Sequence, residues 1–123
     1  MQARLYYDGG YLEKTLSVLA TFDVALSDDF QKLEYHYRMA RVLEKLSKIE
    51  SAKVHYKSVI QLGRQDKRYY ACNSALQLAN IHFKDGELEQ AQEYVKQVLN
   101  MKPSERKTDL HQEARLLQDR MKH

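Results

Sequence analysis

Histidines and a single cysteine are the residues of this chain whose types could support catalysis or bind a metal ion. The sequence contains five histidines and one cysteine, Cys72. The histidines form no H-E-x-x-H motif or comparable ligand spacing, so the sequence predicts no metal site. Cys72 has no His or Asp partner nearby in the sequence, and we expect a buried, inert thiol there. These patterns predict neither a catalytic residue nor a cofactor, and we expect a non-enzymatic protein.

Two adjacent glycines, Gly9 and Gly10, follow an aspartate in the segment LYYDGGYLEKTL, residues 5–16. An Asp-Gly pair between apolar residues can form a β-hairpin, and glycines after a strand can bind phosphate. No segment alternates cleanly between apolar and polar residues for more than a few positions, which argues against strands. We therefore interpret both residues as turn glycines of a helical protein.

Length and composition favour one globular domain covering residues 1–123. The chain has 43% hydrophobic and 30% charged residues, and no apolar run approaches the ~18 residues of a membrane span. The N-terminal residues lack the apolar region and cleavage site of a signal peptide. Because this describes only the sequence at hand, the localisation stays open.

The net charge of +3 is concentrated in the middle of the chain, where residues 32–68 hold 10 basic and 4 acidic side chains. Helical repeats of other families bind RNA, so a nucleic-acid partner was considered. Glu34, Glu44 and Glu50 dilute this charge, and three lysines fall on a second helix, away from any groove: Lys48, Lys53 and Lys57. The charge pattern therefore disfavours nucleic acid.

Helical periodicity runs through most of the sequence, which contains only one proline and four glycines. In residues 30–46 the apolar side chains recur every three or four positions, and Asp28 or Asp29 can serve as the N-cap. The same period predicts helices over 49–62, 68–84, 87–101 and 108–121. The fold class is therefore all-α.

Three segments repeat one pattern: DGGYLEKTLSVL, KLSKIESAKVHY and KDGELEQAQEYV. They align with Gly10, Ser47 and Gly86 in register, at a position that suits the left-handed residue ending a helix. Small residues recur on both sides of this turn, as expected where two helices cross closely. The small positions are Ala3, Ala40 and Ala79 before it and Thr15, Ala52 and Ala91 after it; larger knobs follow at Leu19, Tyr56, Val95, Phe22, Val59 and Val98.

These residues resemble the tetratricopeptide repeat, a ~34-residue helix-turn-helix unit. Residues 72–103 match best, with Leu78, Ala79, Ala91, Val95 and Pro103 at motif positions. The resemblance implies antiparallel helix pairs in a right-handed solenoid of about 2.5 to 3 repeats. Its parts are a truncated repeat 1 (1–27), repeat 2 (30–64), repeat 3 (68–103) and a capping helix (105–121).

The motif's tryptophan is missing from this chain. His36 and Ala75 stand at its position, and we expect Tyr35, Tyr69 and Tyr70 to supply its bulk.

The resemblance also implies a concave groove, lined by the first helix of each repeat, that binds a peptide or helix of a protein partner. The mixture of aromatic, amide and cationic side chains suits a peptide with acidic character. A solvated face with no binding role is the alternative interpretation. The candidate groove residues are Arg4, Tyr37, Arg38, Arg41, Lys45, Asn73, Leu76, Gln77, Asn80, Phe83 and Lys84.

Two further hypotheses concern the N-terminal segment. The short first helix predicts an exposed apolar face at residues 3–19, which would suit either the end segment of a longer solenoid or a homodimer. The chain also resembles repeat segments at the C-terminal end of larger bacterial proteins, some of them exported.

Overall fold

The computed structural model describes residues Ser17, Leu19, Thr21, 28–64 and 68–122. Within these ranges the regular structure is helical, and no strand occurs. Five helices lie within residues 28–122: α1 (Asp29–Lys45), α2 (Ile49–Gly63), α3 (Tyr70–Lys84), α4 (Leu88–Asn100) and α5 (Lys107–Met121). None of them is long and apolar enough to span a membrane. The predicted helices are thus confirmed to within two residues at each end.

The helices form two antiparallel pairs and a fifth helix beside them. α1 packs against α2 and α3 against α4, and α2 packs against α3 to join the pairs. Three-residue turns connect the helices of each pair, so the chain must reverse direction there. α5 packs against both α4 and α3. This stack confirms the predicted all-α, helical-repeat fold class.

The same turn closes both pairs. Ser47 and Gly86 adopt left-handed φ angles of 62° and 76°. The amide of the residue after each one donates to a carbonyl five positions earlier, with Lys48 N to Leu43 O at 2.8 Å and Glu87 N to His82 O at 2.9 Å. These bonds satisfy carbonyls that a helix C-terminus leaves unpaired. The aligned positions of Ser47 and Gly86 in the sequence therefore reflect one shared turn geometry.

Asp28 caps the N-terminus of α1. Its carboxylate accepts a hydrogen bond from the amide of Gln31 at 2.7 Å, and the Gln31 side chain accepts one from the Asp28 amide at 3.1 Å. This reciprocal arrangement is a capping box, which pairs two amides that would otherwise lack partners. Of the two predicted caps, Asp28 is the one used.

Small residues lie where the helices of a pair cross. Ala40 and Ala52 in the first pair, and Ala79 and Ala91 in the second, are completely buried. The predicted knobs are buried as well: Leu19, Tyr56, Val59, Val95 and Val98. The small-residue register therefore marks the close crossings, as predicted.

Tyrosines partly replace the missing tryptophan. Ala75 is completely buried, and Tyr35 and Tyr69 are half-buried against the hydrophobic core. Tyr70 instead packs against Tyr37, with ring centroids 4.7 Å apart. Two of the three predicted substitutes thus contact the core.

The apolar face of α5 covers the open side of the second pair. Leu110, Ala114 and Leu117 are buried, and the predicted capping role is consistent with this face. His111 links α5 to the residue that follows α4, because its Nε2 donates to the carbonyl of Met101 at 2.8 Å. Repeat 1 (1–27), the 3–19 surface and Arg4 lie outside the described residues, apart from Ser17, Leu19 and Thr21 within that repeat.

Candidate functional site

Side chains from α1 and α3 line a cavity of about 450 Å³. Tyr37 and Arg41 are four residues apart on α1, as Asn73 and Gln77 are on α3, so each pair lies on one helix face. Arg38 joins them from α1. The remaining lining residues are Tyr69, Arg106 and Glu113. Five predicted groove residues thus meet at one site.

A second cavity, of about 260 Å³, extends the first. Arg41, Glu44, Lys45 and Gln77 line it. Because Arg41 and Gln77 line both cavities, the two lie next to each other along α1 and α3. Lys45, a predicted groove residue, thus lines the smaller cavity and not the larger one.

A hydrogen-bonded network fixes the floor of the larger cavity. The Asn73 amide nitrogen donates to the Tyr37 hydroxyl at 2.6 Å, and the Gln77 amide nitrogen donates to the Asn73 oxygen at 3.4 Å. Burial raises the pKa of Tyr37 to about 12, which nearby Arg41 only partly opposes. The hydroxyl therefore stays protonated at neutral pH, and its own proton is directed away from Asn73.

Three tyrosines support this floor through contacts between their rings. The ring of Tyr37 lies 4.7 Å from Tyr70 and meets Tyr69 edge-on at 6.0 Å, measured between centroids. The Arg106 guanidinium lies 5.1 Å from the Tyr69 ring centroid, close enough for a cation–π interaction. The three tyrosine rings and Arg106 thus pack against one another at this site.

Arginines dominate the charge of the larger cavity. Arg38, Arg41 and Arg106 line it together with one carboxylate, Glu113. Arg38 also forms an ion pair with Glu34 at 3.6 Å, in which both side chains are 37% exposed. Solvent screens an ion pair of this kind, so it neutralises Arg38 only weakly. The arrangement suits an anionic ligand.

Residues 73–105, which include most of α3 and all of α4, match the family model described as Tetratricopeptide repeat. This segment of the chain is therefore a tetratricopeptide repeat. A comparison with curated proteins and a comparison with solved structures each found no match. Tetratricopeptide repeats act as protein–protein interaction modules and are generally non-enzymatic, so the chain's partners are expected to be proteins.

Some predicted groove residues of the third tetratricopeptide repeat have other roles. Leu76 is 1% exposed and belongs to the hydrophobic core, so it cannot offer a surface to a ligand. Phe83 is half-buried against the core, and the Arg120 guanidinium of α5 lies 5.5 Å from its ring centroid. Asn80, which is half-buried, and Lys84, which is exposed, line neither cavity. The groove of this repeat is therefore shorter than predicted.

Three lining residues were missed by the sequence comparison of the tetratricopeptide repeats. Tyr69 was assigned only a packing role, and Arg106 and Glu113 lie beyond repeat 3. Arg106 has a left-handed φ of 57° and immediately precedes α5. The sequence shows a basic residue at position 106, between two predicted helices. It does not show that Arg106 approaches α1, because this depends on how α5 packs.

Two histidines meet between α1 and α2, where the motif tryptophan would stand. Their Nδ1 atoms, in His36 and His55, are 2.9 Å apart. Burial lowers the pKa of both rings, and the charge of His36 lowers that of His55 further. Among the described residues, no group of three or more His, Cys, Asp or Glu side chains is placed to hold a metal ion.

Cys72 lies inside the interface of the second helix pair. Its thiol is 1% exposed, and its Sγ lies 3.7 Å from the carbonyl oxygen of Val98, to which it donates. Burial raises the pKa of this thiol to about 11. A protonated, enclosed thiol is a poor nucleophile, which agrees with the predicted packing role.

Proposed function

We propose that the protein binds an extended, acidic segment of a partner protein in the groove along α1 and α3. The observation that carries this proposal is the meeting of Arg38, Arg41 and Arg106 with two side-chain amides in a single cavity. Arginine pairs with carboxylates through two parallel hydrogen bonds, and side-chain amides can bind a peptide backbone.

The adjacent positions of the two cavities, which share Arg41 and Gln77, support an extended ligand. Lys45 lies at one end of the groove and Arg106 borders the larger cavity. A ligand lying along the groove would therefore meet cationic side chains repeatedly. Glu44 also lines this path, but it already accepts a hydrogen bond from the Tyr56 hydroxyl at 2.6 Å. That hydrogen bond holds the Glu44 carboxylate against Tyr56, within the α1–α2 pair.

An NMR titration tests this proposal. The ligand is a synthetic peptide of alternating aspartate and leucine residues, added to the isotopically labelled full chain. We expect chemical-shift changes at Tyr37, Asn73 and Gln77, and little change at Lys57 on the opposite side of α2. Changes confined to α2 and α4 would show that the groove assignment is wrong.

A pair of variants sharpens the test. Arg41→Ala removes a guanidinium shared by both cavities and should weaken peptide binding by about tenfold. Lys57→Ala removes an exposed cation that lines neither groove cavity and should leave binding unchanged. Equal losses in the two variants would indicate nonspecific charge attraction instead of groove binding.

A further inference from the structure

The larger cavity presents more hydrogen-bond donors than an aspartate or glutamate side chain can use. Three guanidinium groups line it, from Arg38, Arg41 and Arg106. The Nε of Arg38 is buried and has no hydrogen-bond partner among the described residues. A carboxylate offers two oxygens and one negative charge, whereas each guanidinium can donate a pair of parallel hydrogen bonds. The donor set therefore suits an anion with more oxygens and more charge.

Tyr37 adds a neutral donor to this set. Because its oxygen accepts the hydrogen bond from Asn73, its hydroxyl proton is directed elsewhere. Tyr37 lines the cavity, where this proton can reach a ligand oxygen. Glu113 is the one carboxylate among the described lining residues. Donors therefore outnumber acceptors around the cavity.

Arg106 makes the site particular to this chain. It lies outside residues 73–105, which match the family model. Its φ of 57° is uncommon for a residue with a side chain, and such strained residues cluster at functional sites. Its carbonyl accepts the hydrogen bond from the Leu110 amide at 3.0 Å that begins α5. The docking of α5 thus holds Arg106 beside the arginines of α1.

We propose that the larger cavity binds the phosphoryl group of a phosphorylated serine or threonine in the partner's acidic segment. This rests on the proposed function and adds the chemistry of the group recognised. A phosphoryl group carries about −1.5 to −2 charges near neutral pH and has three strong acceptor oxygens. Arg38, Arg41 and Arg106 bind these oxygens, and Tyr37 donates its hydroxyl proton.

A phosphate of a nucleic acid fits the same cavity less well. Single-stranded nucleic acids bind through bases stacked on open aromatic faces. Here Tyr70 packs against one face of Tyr37, and the Arg106 guanidinium lies over one face of Tyr69, which leaves fewer open faces for bases. A backbone phosphodiester also carries one charge fewer than a fully ionised phosphoryl monoester. The geometry therefore favours a phosphorylated protein segment.

Fluorescence anisotropy with three labelled peptides tests the proposal on the full chain. The peptides share one acidic sequence and differ at a central position, which is phosphoserine, glutamate or serine. We expect the phosphoserine peptide to bind about tenfold more tightly than the glutamate peptide. Equal affinity for these two would overturn the inference and leave the proposed function intact. Failure of all three to bind would refute both.

Variants at Arg106 test the origin of the preference. Arg106→Gly suits the left-handed backbone and removes only the side chain, so the fold should persist. It should weaken binding of the phosphoserine peptide far more than binding of the glutamate and serine peptides, and so abolish the preference for phosphoserine. Arg106→Lys should restore part of the preference, and Arg115→Ala, at an exposed position of α5, should not alter it. Tighter binding of oligouridine than of the phosphoserine peptide, or an unchanged preference in Arg106→Gly, would contradict the proposal.

Discussion

His36 on α1 and His55 on α2 face each other through their Nδ1 atoms, 2.9 Å apart. A hydrogen bond at this distance requires opposite tautomers, because one Nδ1 must carry a proton and the other must accept it. One further proton can be added at Nε2 of the donor ring without breaking the bond. A second added proton would have to bind the other Nδ1. Both Nδ1 atoms would then carry hydrogens, and the two rings would be forced apart. The pair is therefore a coupled titrating unit.

This pair predicts that the protein loses stability in mild acid. Burial holds the pKa of both rings below the ordinary histidine value of about 6.5 in the folded state. Below about pH 6.5 the unfolded chain consequently binds more protons than the folded one, and the free energy of unfolding falls as pH decreases. Urea denaturation at pH 7.5 and pH 5 measures this loss. His55→Gln should reduce the difference between the two pH values, whereas an undiminished difference would assign it to other groups.

Ser47 and Gly86 offer a matched test of the turn geometry. Ser47→Gly should raise the free energy of unfolding by about 0.5 to 1 kcal/mol, because glycine adopts a left-handed φ without steric cost. Gly86→Ala should lower the free energy of unfolding by about 1 kcal/mol, because alanine adopts a left-handed φ only at a steric cost. No atom lies within 4 Å of a Cβ added at Gly86, so the cost there is purely conformational. Thermal denaturation should show a higher melting temperature for Ser47→Gly and a lower one for Gly86→Ala. Changes in the same direction would contradict a turn geometry shared by the two positions.

Ala91 tests the close crossing of α3 and α4. Ala91→Leu should destabilise the protein by about 1 to 3 kcal/mol, because this completely buried position has no room for a larger side chain. Gln92→Leu introduces the same residue one position later, where the side chain is exposed, and should change stability by less than about 0.5 kcal/mol. Chemical denaturation of both variants measures the difference. Similar losses of stability in the two variants would show that Ala91 does not lie at the crossing of α3 and α4.

Tyr56 joins the two helices of repeat 2 through its hydroxyl, which donates to the Glu44 carboxylate at 2.6 Å. Tyr56→Phe should lower the free energy of unfolding by about 1 to 2 kcal/mol, since a hydrogen bond to a charged group is lost and the ring stays in place. A double-mutant cycle that combines Tyr56→Phe with Glu44→Gln measures the interaction free energy between the hydroxyl and the carboxylate. Strictly additive losses would show that the two groups do not interact in solution.

Cys72 should resist modification in the folded protein. Its thiol is 1% exposed and its pKa is raised to about 11, so both access and the thiolate fraction are low. Ellman's reagent at pH 8 should react slowly with the native protein and quickly in denaturant. Rapid reaction under native conditions would contradict the enclosed position.

Local chemistry explains why the sequence predicted the helices and their turns so well. Apolar periodicity, the Asp28 cap and the left-handed positions at Ser47 and Gly86 depend on neighbouring residues alone. The repeat register predicts a longer groove than the two cavities line, because it makes α3 equivalent to α1. In the structure α3 contacts α1, α2, α4 and α5, and this surrounding contact buries Leu76 and covers Phe83.

The contribution of Arg106 could not be predicted from repeat periodicity. It depends on a long-range event, the docking of α5, which brings a linker residue to helices far away in the sequence. Glu113 enters the cavity through the same event. The sequence shows that Arg106 and Glu113 are charged. No pattern of neighbouring residues predicts that they lie close to Arg38 or Arg41.

The hydrogen bond between Tyr37 and Asn73 has a consequence for how the protein unfolds. It joins α1 to α3, so it belongs to the interface between repeat 2 and repeat 3 and to neither repeat alone. In stacked-repeat proteins, nearest-neighbour interface energies decide whether units unfold together or one at a time. A ligand resting on Tyr37 and Asn73 requires both repeats to be folded and docked. Its binding should therefore couple the two repeats into a single cooperative unit.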